Sequence, residues 1–137
     1  MRTVELALVV DLGACSTQPP ARVQQVAQSP GEGATITVQL SDFAFEPDHL
    51  RLKAGNPVRL RLVNDSGGDH DFSAPAFFAV SILQPGSSAP PDGGIEVAAH
   101  QTVEIALVPK TPGTYPLECT HFLHDLFGMN GTIEVVP

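Results

Sequence analysis

Short runs in which Val, Ile, Leu and Phe alternate with polar residues predict an all-β fold, a β-sandwich of about seven to eight strands. Pro and Gly are frequent, at 13 and 12 residues, and fall between the runs as turn formers. A length of 137 residues fits one domain, long enough to bury a core without disulfides or structural metals. No internal repeat is present.

The alternation begins at Ala34. Ile36, Val38 and Leu40 alternate with Thr35, Thr37 and Gln39, so one face of this first strand is apolar. Phe43 and Phe45 follow, then Pro47. Leu50 and Leu52 alternate with Arg51 and Lys53, and Ala54-Gly-Asn-Pro57 makes a turn. Val58, Leu60 and Leu62 form another half-buried strand that ends at Asn64-Asp-Ser-Gly-Gly68, and His70 and Phe72 begin the next. The segment 76–83 reads as a short helix or an apolar flap, and 84–94 as a Pro/Gly/Ser loop. Ile95 and Val97, then Val103, Ile105 and Leu107, read as two strands turning around Ala99-His-Gln101. Tyr115, Leu117 and Cys119 share one side of a strand, and Ile133 and Val135 one face of the last.

The formal charge is −8, with acidic residues spread along the chain. Such a surface disfavours nucleic acid and anionic membranes and attracts a basic partner at low salt. There is no basic run, P-loop or dinucleotide fingerprint, so nucleic-acid binding is not expected.

Before Ala34 the composition is different. Residues 1–15 read as a targeting segment: Arg2 supplies a positive start, Leu6 to Val10 a short apolar run, and Leu12-Gly-Ala-Cys15 resembles the lipobox of bacterial lipoproteins. In that family the cysteine is lipidated, which would make Cys15 the anchor. Glu5 and Asp11 suit an export core poorly, and the competing reading is a weak or misassigned N-terminus in which Cys15 is buried or free. Residues 16–33, rich in Pro, Gln, Ser and Gly, read as a flexible tether, leaving 34–137 as the folded domain. The chain has two cysteines, so a Cys15–Cys119 disulfide is the alternative to one lipidated and one metal-binding residue.

The richest chemistry lies in Cys119-Thr-His-Phe-Leu-His124-Asp-Leu-Phe-Gly-Met129, with His70 upstream. A thiolate, imidazoles and a thioether form the donor set of a mononuclear copper electron-transfer centre, because soft sulfur suits reduced copper while nitrogen also suits the oxidised ion. Each donor has a plainer reading: His70 a turn histidine, Met129 a core thioether, Cys119 an inert thiol. His121 stands as a donor in place of His124, as an extra donor or, because His124 has the better spacing to Met129, as a group beside the site or on the surface. His49 and His100 read as solvated turn residues.

These residues resemble the cupredoxin family over nearly all of 36–136. The matching pieces include Phe43-Ala-Phe45-Glu-Pro47, Val63-Asn64, His70-Asp-Phe72, Gly113-Thr-Tyr115, Cys119, His124, Gly128-Met129 and Gly131-Thr-Ile133. The resemblance implies a Greek-key sandwich binding one type 1 copper through His70, Cys119, His124 and Met129. It further implies a small monomeric periplasmic electron carrier rather than an enzyme. Its partner would be a redox protein, such as a basic cytochrome or a copper-containing reductase. Asp71 stands where the family commonly has Asn. As a carboxylate it only accepts hydrogen bonds, so its bond across the loop must use Thr120 as donor. Phe122, Leu123, Leu126 and Phe127 make the metal loop apolar, the composition of a docking patch or of a lid over the core. Copper handling without electron-transfer duty and a metal-free binding module are the competing readings.

Overall fold

A computed structural model describes residues 33–121 and 126–137. The 1–15 segment with Cys15, most of the tether, Phe122, Leu123 and His124 lie outside the described residues.

The described chain runs β1 (Ala34–Ser41), β2 (Ala44–Glu46), β3 (His49–Lys53), β4 (Val58–Asn64), β5 (His70–Ser73), α1 (Pro75–Ala79), β6 (Ser81–Leu83), β7 (Gly94–Val97), β8 (Thr102–Pro109), β9 (Gly113–Glu118) and β10 (Asn130–Val136). The strands form two five-stranded sheets, ordered β2-β1-β4-β8-β6 and β3-β10-β9-β5-β7. Both are mixed, with β1 parallel to β4 and β3 parallel to β10.

The all-β sandwich is therefore the observed architecture, with ten strands among the described residues. The additional strands are short: β2 and β6 have three residues each, too few to show alternation. The 76–83 segment resolves into α1, with Pro75 at its first turn where a missing N–H costs nothing, followed by β6. His49 opens β3 rather than lying in a turn. The strands around Ala99-His-Gln101 do not pair with each other. Strand β7 joins β5, whereas β8 joins β4 in the opposite sheet, so the turn crosses between layers.

The core lies between the sheets. Val38, Leu40, Phe45, Leu60, Leu62, Ile105 and Leu107 come from one, and Leu50, Phe72, Ile95, Val97, Leu117, Ile133 and Val135 from the other; all are buried. Phe45 and Phe72 meet edge-to-face across the layers, with ring centroids 6.0 Å apart. At Gly131 a Cβ would stand 2.4 Å from the backbone oxygen of Asp48, which accepts the Thr132 N–H in closing this edge. Only a residue without Cβ fits there unless the backbone moves.

Candidate metal centre

Strand register brings His70, Cys119 and Met129 to one end of the sandwich. Strand β5 meets β9 with Ser73 opposite Glu118, so continuing antiparallel sets Asp71 beside Thr120. On the other side of β9, Glu118 pairs with Asn130, and one residue further the Cys119 N–H donates to the Met129 carbonyl at 3.0 Å. Gly128, at φ +86°, makes the turn that returns the chain to this position, a conformation that glycine adopts freely. His70, Cys119 and Met129 are all fully buried. Among the described residues no three His, Cys, Asp or Glu side chains gather as a metal site. His70 and Cys119 supply two such groups, Met129 adds a thioether, and His124 lies outside the described residues.

The predicted cross-loop contact is present in both halves. Thr120 donates its N–H to Asp71 Oδ1 at 2.6 Å and its hydroxyl to Asp71 Oδ2 at 2.8 Å. Both donors converge on one buried carboxylate, so the strand end carrying Cys119 is locked to the strand carrying His70.

Burial pushes the Cys119 thiol above its ordinary value. Backbone hydrogen bonds from Asp71 and His121 pull the other way, and the Asp71 carboxylate raises it again through its side-chain contact and charge. The backbone donors favour a thiolate, the form that binds a metal. A metal must displace the thiol proton, so affinity at this site rises with pH. A buried thiol fits a soft metal, and the buried Met129 thioether strengthens that fit.

His121 is half-buried and faces Glu96, with Nε2 2.9 and 3.1 Å from the two carboxylate oxygens. Glu96 lies opposite Asp71 on β7, so this pair sits at the rim of the same sheet end. His49 is exposed on β3, 3.3 Å from Glu134. Of the apolar loop residues, Leu126 and Phe127 are 77 % and 63 % exposed. Phe127 packs edge-to-face on Phe43, ring centroids 5.2 Å apart. Phe43 and Asp42 form the two-residue tip between β1 and β2.

Two residues about His70, Ser66 and Asp42, were not singled out by the sequence, and Asn64 was named only as a strand end and within the matching Val63-Asn64 pair. The His70 Nε2 lies 2.8 Å from Ser66 Oγ and 3.6 Å from Asp42 Oδ1, and Ser66 is in turn held by the buried Asn64. A Gly-rich turn after a strand looks like ordinary loop chemistry. The one available signal was an Asn ending an otherwise apolar strand face.

No family model matches the chain. Over 97 residues it is 30% identical to plastocyanin from Dryopteris crassirhizoma, covering 71% of this chain and 92% of the relative. The chain belongs to the cupredoxin family. Among solved structures, this cupredoxin is similar to auracyanin B at 27% identity and a TM-score of 0.57, covering 82% of this chain and 94% of that one. It shares its fold with the dithionite-reduced auracyanin of the photosynthetic bacterium Roseiflexus castenholzii, at 19% identity and a TM-score of 0.58, over 78% of this chain and 100% of that one.

Proposed function

We propose that this cupredoxin binds one type 1 copper and carries single electrons between redox proteins. The observation that carries the reading is the fully buried Cys119, just past a strand end that the Met129 carbonyl and the Asp71 carboxylate lock in place. Cys119 would supply the thiolate, His70 and His124 the nitrogens, and Met129 the weak axial sulfur. Ligands fixed by packing limit rearrangement between the two oxidation states, which suits rapid electron transfer. The engagement of His121 by Glu96 supports His124 as the second nitrogen donor. It also weighs against a copper-handling role that would use His121 as a further ligand.

The protein acts as a monomeric carrier and not as an enzyme in this reading. The exposed Phe43, Leu126 and Phe127 form the surface on which a partner docks, and the acidic balance favours a basic one. The targeting-segment reading of 1–15 places the protein in the periplasm, tethered through lipidated Cys15 and residues 16–33, with 34–137 as the copper domain. The ligand choice is tested by loading copper into His121→Ala and His124→Ala. Loss of the visible charge-transfer band in His124→Ala alone supports the assignment, and its loss in His121→Ala alone reverses it.

Asp71 adds a consequence particular to this chain. A buried carboxylate beside the metal favours the more highly charged oxidised copper and lowers the reduction potential. In Asp71→Asn the amide oxygen still accepts the Thr120 N–H, while the amide N–H donates to the Thr120 hydroxyl, so the lock survives without its charge. Removing the charge changes the balance by on the order of 1–2 kcal/mol at a protein-like effective dielectric, an upward shift of roughly 40–90 mV for one electron. Voltammetry reads this directly, and an unchanged or lower midpoint would refute the role given to Asp71.

A further inference from the structure

We infer that Ser66, held by Asn64, is the positioning residue that fixes the His70 tautomer and so selects Nδ1 as the nitrogen offered to the metal; this rests on the copper reading above. Asn64 is fully buried at the end of β4, and its Nδ2 donates to two backbone carbonyls, Gly68 at 2.8 Å and Val97 at 2.9 Å. Carbonyls cannot donate, so the amide orientation is settled and Oδ1 faces the other way. There Oδ1 accepts the Ser66 N–H at 3.0 Å and lies 2.8 Å from Ser66 Oγ.

The Ser66 hydroxyl has one proton and several neighbours. Asn64 Oδ1 at 2.8 Å and the Gly68 carbonyl at 3.2 Å are acceptors only, whereas the Gly68 N–H at 3.4 Å is a donor. If the hydroxyl proton went to His70, both acceptor oxygens would face oxygen lone pairs at hydrogen-bond distance. The proton therefore goes to an acceptor oxygen, Asn64 Oδ1 being the nearer. His70 Nε2, 2.8 Å from Oγ, must then carry the hydrogen. The Asp42 carboxylate oxygen, 3.6 Å from the same nitrogen, favours the same assignment. A neutral imidazole with its hydrogen on Nε2 has its lone pair on Nδ1. The chain Gly68/Val97 carbonyls, Asn64, Ser66, His70 thus sets ring orientation and tautomer before any metal arrives, and a hydrogen-bonded Nε2–H makes Nδ1 a stronger donor.

The test begins with the metal-free wild-type protein at a pH where imidazole is neutral, using long-range ¹H–¹⁵N correlation of the His70 ring. The expected result is the Nε2–H tautomer. In Ser66→Ala the two tautomers should mix and copper(II) affinity should fall about 10- to 100-fold. Ser66→Thr, which keeps the hydroxyl at a half-buried position, should restore both. An Nδ1–H tautomer in the wild type would overturn the assignment. So would a Ser66→Ala protein that loses thermal stability while tautomer and copper affinity stay unchanged, because that is a purely structural role. A wild-type protein that takes up no copper would contradict the copper reading, while the tautomer of the metal-free ring still decides this one.

Discussion

Cys119→Ser is expected to abolish the visible band of the copper-loaded protein while leaving the metal-free fold in place. The two side chains differ in the donor atom far more than in size. Cys119 sits just past the end of β9, fully buried, with its backbone N–H bound to the Met129 carbonyl. A serine hydroxyl can donate to the neighbouring Asp71 carboxylate, so its proton is not stranded and the stability change should stay within about 1 kcal/mol. A neutral hydroxyl supplies neither the soft charge that holds reduced copper nor the sulfur orbitals that give the band its intensity. Absorption and thermal melting of the same sample separate the two effects. A retained band would remove Cys119 from the ligand set, and a collapsed fold would make it a structural thiol.

Phe72→Ala should have the largest effect on stability of any change outside the ligands. Phe72 is fully buried on β5, between His70 and Ala74, and contacts Phe45 of the facing sheet and Phe78 at a centroid distance of 6.3 Å. Truncation removes the buried ring and leaves a cavity where the layers meet, a loss of about 3–5 kcal/mol. For a domain of roughly 100 residues that lowers the melting temperature by roughly 12–40 °C. Because β5 also carries His70 and Asp71, copper affinity should fall with it. Phe127→Ala, at an exposed position, is the control and should change stability by less than about 0.5 kcal/mol. Equal losses in the two variants would show that the Phe45–Phe72 contact does not organise the core.

Much of this was readable from the chain because the relevant physics is local. Alternation at Ile36–Leu40, Leu50–Leu52 and Val58–Leu62 reports a strand with one buried face, and each is a strand. The direction of the Asp71–Thr120 bonds followed from the fact that a carboxylate has nothing to donate. The sheet to which a strand belongs was not readable. Ile95-Glu-Val97 and Val103-Glu-Ile105 carry the same pattern, yet their partners lie in different layers, and alternation contains no information about the partner. Ser66 was hidden for a related reason. A serine in Asp-Ser-Gly-Gly is what a turn requires, and only the buried Asn64 and the fold of 64–70 back on itself make it a contact of His70.

In the proposed function one copper sits between His70, Cys119, His124 and Met129 and changes oxidation state reversibly. The most direct measurement is a copper(II) titration of the purified protein followed by visible absorption and electron paramagnetic resonance, then cycles of reduction and reoxidation. The expected result is an intense thiolate-to-copper band that saturates at one copper per chain, bleaches on reduction and returns fully on reoxidation. A protein that stays colourless with copper(II), or whose band does not return after one cycle, would contradict it.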